Sequence, residues 1–287
     1  MRPLCFVSSS LVLFVAAPLA AQPAVAAEPT RAEREGQNEN DPAEVAVSPI
    51  ATDRPGNGNA ATTVPQWAFQ VEGSANYALE RGPMGGDMHQ LTFPTLIRFG
   101  LLPIFELRVG SSLLGIDGNP PTGQKTAHPT DTSVGLKVQV LANDGAVPAF
   151  SLMTDVFLPS GRAPFTNDAV VPDMRAALAW SLPAGFGLLL NAGIDVPDDG
   201  VGRFARAITV VNVGYAFPFA QRRLSVFVEY YGLLPLADRD AIIQVDWGAA
   251  FRITRDTQVD FYAQHGLTDA ATDFQIALGF SARFFVH

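Results

Sequence analysis

The chain has 287 residues, 16% of them charged, a formal net charge of −9 and one cysteine, Cys5. That acidic balance, with no basic block to track phosphates, argues against nucleic acid as a partner. A single cysteine provides no disulfide framework, so the fold must be held by backbone pairing and packing.

The N-terminus reads as a targeting segment. Arg2 gives a short positive region, Leu4 to Ala17 an apolar one, and small-residue cleavage sites follow at Ala20 or Ala26. Residues 1–26 are therefore assigned to a signal peptide, which takes Cys5 with it. Residues 27–60 form a polar leader, expected to be flexible in the periplasm. The leader ends in "SPIATDRPGNGNA" (Ser48 to Ala60), where proline, glycine and asparagine favour turns and an adjacent Asp53–Arg54 pair stands out.

From Trp67 the texture changes to short runs of period two, the pattern of strands with two unlike faces. "WAFQVEGSANYA" sets Trp67, Phe69, Val71, Ala75 and Tyr77 against Gln70, Glu72, Ser74 and Asn76. The final run sets Phe274, Ile276, Leu278, Phe280 and Phe284 against Gln275, Gly279, Ser281 and Arg283. Runs of this kind begin near Trp67, Gln90, Ile104, Ser133, Ala149, Met174, Phe186, Arg206, Leu224, Ala241, Gln258 and Phe274. No segment after the signal has a helical period.

Three features separate a membrane barrel from a soluble sheet. The polar face is built of Gly, Ala, Ser, Asn and Gln with single charges, and the chain has only two lysines, Lys125 and Lys137. The apolar face of these runs carries no charge, as lipid requires, because an Arg or Lys at the bilayer midplane costs about 2–4 kcal/mol. Loops alternate long and short, and aromatic residues at strand ends, among them Trp67, Tyr77, Trp180, Phe186, Tyr215 and Tyr230, fit interfacial girdles. Residues 61–287 are thus expected to form an all-β, transmembrane antiparallel up-and-down β-barrel of about twelve strands. Its place would be the outer membrane of a Gram-negative bacterium, with both termini in the periplasm. Pro94 lacks the ladder N–H, so a bulge, or a strand whose regular part begins after it, is expected there.

With the apolar face in lipid, the polar face lines the lumen. The inward acids are Glu72, Glu106, Asp155, Glu229, Asp246 and Asp260; the inward bases are Arg98, Arg108, Lys137, Arg175, Arg206, Arg252 and Arg283. Their near balance predicts cross-strand ion pairs that fill the barrel, shape a polar constriction, or both. Leu96, Met153, Phe157, Leu189 and Phe227 are inward by phase and either simply fill the lumen or supply apolar patches for hydrophobic solutes.

"TDRPG", "LIRFGLLPIFELRVG" (Leu96 to Gly110), "DVFLPSGR" (Asp155 to Arg162), "LSVFVEYYG" (Leu224 to Gly232), "VDWGAAFRITRDTQVDFYAQHGL" and "ALGFSARFF" occur in this order. In that succession the chain resembles an outer-membrane transporter family named for the meta-pathway of phenol degradation, from about Ser48 to Phe285. The resemblance implies an outer-membrane transporter for aromatic or other small hydrophobic compounds. It departs from such barrels at His287, where Phe or Trp is the more usual last residue read by the barrel-assembly machinery. Within the resemblance "TDRPG" opens the barrel. Asp53 and Arg54 then either aim the leader into Trp67 or tuck into the periplasmic mouth as a plug against lumen charges.

No cofactor, metal site or catalytic group is legible. The histidines His89, His128, His265 and His287 lack metal-ligand spacing, and no nucleophile elbow or phosphate-binding glycine loop occurs. Asp195, Asp198 and Asp199 fit an acidic turn better than a calcium loop. The expected function is a non-enzymatic channel or transporter in the lipid bilayer for passive diffusion of small solutes. The alternatives are a structural or adhesive barrel without transport and an outer-membrane lipolytic enzyme with His89 or His265 beside a serine.

Overall fold

The computed structural model describes residues 48–81, 87–119 and 124–286. The assigned signal peptide with Cys5, residues 27–47 of the leader, and His287 lie outside the described residues. Thirteen strands follow one another: β1 (Ala68–Arg81), β2 (Asp87–Leu102), β3 (Phe105–Asn119), β4 (Gln124–His128), β5 (Thr132–Leu141), β6 (Ala149–Leu158), β7 (Val171–Ser181), β8 (Phe186–Asp195), β9 (Arg206–Ala216), β10 (Leu224–Pro235), β11 (Ile242–Arg252), β12 (Thr257–Gly266) and β13 (Phe274–Phe285). Each wall strand pairs antiparallel with its neighbours, β1 closes on β13, and β2 pairs with both β1 and β3, so the wall closes on itself.

β4 and β5 share one wall position. β5 pairs with Phe105–Gly110 of β3 and β4 with Gly115–Asn119, leaving twelve strands around the barrel. The period-two runs have no member between those beginning near Ile104 and Ser133, so β4 is additional to them. "QKTAH" lacks the apolar alternation that marks a lipid-facing strand. In the gap between β4 and β5 the Thr130 N–H donates to Ser112 O at 2.9 Å. The Ser112 N–H donates to Thr130 Oγ1 at 2.9 Å, so a side chain stands in for a ladder bond.

Pro94 lies inside an unbroken β2, and the irregularity falls on its partner. Thr92 pairs with Gly115 and Pro94 with Ser112, so two β3 residues oppose the single Phe93. This is a β-bulge, and the Phe93 N–H is satisfied by Ser112 Oγ at 3.0 Å.

The faces are inverted relative to a soluble domain. Phe69, Val71, Leu107, Val109, Leu278, Phe280 and Phe284 point outward and are exposed. The largest fully buried side chains include Arg98, Lys137, Gln70, Glu72, Glu106 and Glu229. Among the described residues a small apolar cluster inside unites Ala61, Ala149, Met153 and Ala177. Outward aromatics gather at the short-turn end: Phe69 stacks on Phe99 at 4.4 Å, and Phe186, Tyr215, Phe217 and Phe219 form a chain of contacts.

The chain enters β1 by crossing close over β2. The Trp67 N–H donates to Gly100 O at 2.8 Å, and Gln66 makes a parallel bridge to Gly100. A Cβ on Gly100 would stand 2.0 Å from Pro65 O, so only glycine admits this crossing. Gly100→Val should therefore destabilise the barrel by about 1–3 kcal/mol or more. Urea denaturation followed by the heat-modifiable gel shift would measure it; an unchanged midpoint would show that the crossing adds nothing to stability.

Candidate functional site: an entry segment seated on a charged wall

Residues 50–66 run inside the barrel before β1 and bond to the inner face of most of its strands. Ile50 is buried, with its N–H on Arg255 O at 2.8 Å. Asp53 comes next and is the centre of the site. Its carboxylate accepts from Arg108 Nη1 at 2.5 Å and from Lys137 Nζ at 3.0 Å, and Arg98 Nη1 lies 3.6 Å away. Its own N–H donates to Glu72 Oε2 at 2.9 Å, and Oδ1 receives the Ala60 N–H at 2.8 Å. A single carboxylate thus joins the wall and also pins the segment's own turn.

The wall around Asp53 explains why a carboxylate is needed. Arg98 bonds to Glu72 at 2.9 Å and to Glu106 at 2.8 Å. Arg108 reaches Glu106 at 3.1 Å and Asp155 at 3.4 Å, and Lys137 stands 3.8 Å from Glu106. Three buried bases thus meet Glu72 and Glu106 from the strands, with Asp155 only at the fringe, and Asp53 brings the third close acid. Burial works against the Asp53 charge, but Arg98, Lys137 and Arg108 together hold its carboxyl well below the usual carboxylate range.

The other contacts of the segment spread around the barrel. Arg54 turns to β1 and β12, donating to Ser74 Oγ at 2.8 Å and to Asp260 Oδ1 at 3.0 Å. Asn57 bridges two carboxylates that face each other across β10 and β11: its N–H meets Glu229 Oε1 and its Nδ2 meets Asp246 Oδ2, both at 2.6 Å. Gly56 has a φ of +90°, which favours glycine, and a Cβ there would stand 2.9 Å from Glu229 Oε1 and push that carboxylate aside. Asn59 exchanges bonds with Asn191 on β8, at 2.6 and 3.1 Å. Further along, the Val64 N–H donates to Glu106 Oε2 at 2.8 Å, and Arg98 and Lys137 donate to Thr62 O and Ala60 O.

Of the lumen residues expected from sequence, Glu72, Arg98, Glu106, Arg108, Lys137 and Asp155 converge on Asp53, while Glu229, Asp246 and Asp260 hold Asn57 and Arg54. The remaining bases have acids of their own or lie at the rim, although Arg175 also reaches Asn59 Oδ1 at 3.3 Å and Arg283 reaches Ser48 O at 2.8 Å. Arg175 pairs with Asp173 at 2.8 Å, Arg206 with Asp195 at 2.6 Å and Arg283 with Asp256 at 2.5 Å. Arg252 lies at the short-turn rim and donates to Arg222 O. Asp173, Asp195 and Asp256 are partners that sequence reasoning missed. Asp173 was readable, standing two residues before Arg175 on the same face; Asp195 and Asp256 sit at strand ends, where phase no longer applies. Asp199 pairs with Arg239 at 2.5 Å and receives the Val201 and Gly202 N–H groups. His89 Nδ1 is bonded to Tyr77 Oη at 2.6 Å, and the His265 ring lies against Phe274. Among the described residues no group of three or more His, Cys, Asp or Glu is arranged to hold a metal ion.

The segment does not fill the barrel. One cavity of about 420 Å³ opens at the short-turn end and is bordered by Arg54, Leu189, Phe227 and Arg222. A second, of about 460 Å³, lies toward the long loops and is bordered by Asp53, Arg54, Glu72, Leu96 and Phe157. Residues 52–60 contribute to both linings, and Arg54 belongs to both.

A closed twelve-stranded barrel with a polar, buried inner face and an apolar outer one is an outer-membrane β-barrel. Residues 52–284 match the model of the family described as "Putative MetA-pathway of phenol degradation", and the chain belongs to that family. Among solved structures it is similar to an outer membrane channel from Pseudomonas putida F1, with a TM-score of 0.61 at 12% identity over 80% of this chain and 99% of that one. The NanC porin aligns with a TM-score of 0.48 at 9% identity, over 76% of this chain and 100% of that one. The CymD monoaromatic hydrocarbon channel aligns with a TM-score of 0.42 at 6% identity, over 78% and 90%. A search of curated proteins finds no match by sequence.

Replacing Asp53 leaves three buried bases short of an acid, and breaking a buried pair of this kind costs about 3–5 kcal/mol. Asp53→Asn should raise amide exchange at Ala60 and Val64 about a hundredfold or more while the strands keep their protection. Because the Asp53 carboxyl titrates below its unfolded value, its contribution is complete above about pH 4 and is lost as pH falls from there through the folded pKa. Protection of the segment should accordingly be equal at pH 7 and pH 5. A loss within that interval would assign the docking to other groups.

Proposed function

We propose that this protein is an outer-membrane channel through which small solutes, aromatic and hydrophobic ones among them, diffuse passively. Export would be by the N-terminal signal peptide, with the short turns in the periplasm and the barrel-assembly machinery inserting the chain. The observation that carries this reading is the pair of cavities with Arg54 in common: residues 52–60 lie between them. Twelve strands stand between barrels filled by side chains and those of sixteen or more that hold an aqueous channel, which suits a narrow, obstructed passage. Family membership supports the same class.

In this reading Asp53 and Arg54 act as a plug. The charges of the wall position it, and the ordered segment narrows the path between the two cavities. Deletion of residues 27–60 from the mature chain should raise single-channel conductance of the refolded barrel in planar bilayers severalfold. An unchanged conductance would reduce the segment to a simple turn. If intact and shortened barrels were both silent, with and without small aromatic solutes, the channel would give way to a structural or adhesive barrel.

A further inference from the structure

The cavity at the short-turn end has a composition unlike the rest of the interior. Its wall exists because Gly187 and Gly214, adjacent in register on β8 and β9, place no side chain there, and Phe227 on β10 is next in the row. Leu182, Leu189, Phe227 and Ala250 make much of the surface apolar. The charged residues that border it are Arg54 and Arg222, and no acidic residue does. Arg98, Arg108, Lys137, Arg175, Arg206 and Arg283 each pair with an acid, as Arg54 does with Asp260, whereas Arg222 makes no ion pair among the described residues.

The two arginines come from different parts of the fold. Arg54 lies on the seated segment, held from behind by Asp260 and Ser74. Arg222 is on the turn between β9 and β10, at the open end, with its side chain exposed. Neighbouring bases strengthen the field at that mouth: Arg223 donates to Arg252 O at 2.8 Å, Arg252 donates to Arg222 O, and Arg255 borders the adjoining rim. A low-dielectric hollow edged by one sign of charge concentrates the opposite sign.

We propose that this cavity is a binding site for small amphipathic organic anions, such as an aromatic carboxylate, with the apolar body against Leu189 and Phe227 and the carboxylate on Arg222. Arginine recognises a carboxylate through paired N–H donors, and such charge-assisted bonds are stronger than neutral ones. A volume of about 420 Å³ is ample for a one-ring acid. The proposal deepens the channel reading and rests on it only for the site's purpose; the site itself is tested by binding, without permeation.

The test compares benzoate with benzyl alcohol, which has the same ring and no charge, by isothermal titration of the refolded full-length mature protein in nanodiscs at pH 7. Benzoate should bind at least tenfold more tightly. Arg222→Ala, on an exposed turn, should lower that ratio to twofold or less, and Arg222→Lys should restore part of it. Gly214→Leu, which fills the cavity, should abolish benzoate binding in a barrel that retains its heat-modifiable mobility. Equal binding of the two probes, a ratio untouched by Arg222→Ala, or benzoate binding that survives in folded Gly214→Leu would each overturn the anion site. The channel reading fails separately, on conductance. A barrel that conducts but binds both probes alike loses only the anion site, and a silent barrel that prefers benzoate keeps it.

Discussion

The contact of Asp53 with Arg98, Arg108 and Lys137 organises the interior of this barrel. Charges buried away from bulk water are tolerated only when matched and hydrogen-bonded, and the strands around Asp53 present one more base than close acids. The missing charge is supplied by a residue outside the sheet. Neutrality of the wall and position of the entry segment are therefore one problem with one solution. Arg54, next in sequence, applies the same logic in the opposite sense, placing a cation against Asp260 on a part of the wall rich in acids.

Closure of the sheet makes this arrangement possible. In a barrel each inner-facing side chain has inner-facing neighbours at the same level on the adjacent strands, so ion pairs form rows around the wall. Glu72, Arg98, Glu106, Arg108 and Lys137 come from β1, β2, β3 and β5, which are contiguous, and they form a continuous network. Arg175 and Arg206 lie farther along the wall and are satisfied by Asp173 and Asp195. The entry segment crosses between these regions, and its backbone N–H groups find acceptors in Glu72, Glu229, Asn191 and Glu106.

Much of this was legible in the sequence, because a membrane barrel writes its architecture into a two-residue period. The starts of the twelve wall strands, the inward phase of Glu72, Arg98, Lys137 and Asp246, and the irregularity at Pro94 all follow from that period and from the missing proline N–H. β4 escaped it because "QKTAH" carries no apolar alternation for that period to register. Asp195 and Asp256 escaped because inward direction at a strand end depends on where the chain turns. The composition of the cavity at the short-turn end could not be read either. Gly214, Arg222 and Phe227 share one hairpin, but Gly187 and above all Arg54 are distant in the chain, and only register and the seating of the entry segment bring them to it.

The crossing over Gly100 gives the seated segment a kinetic character of its own. Because residues 50–64 are tethered to β1 through Pro65 and Gln66, they act as a ligand permanently attached to its receptor. A short tether holds such a ligand at an effective concentration of the order of millimolar, so a released segment meets its site again before most free molecules can occupy it. Any opening of the path would be brief and self-reversing. A solute passing through would have to compete with the protein's own chain, and a weakly bound, abundant solute would do so better than a scarce one.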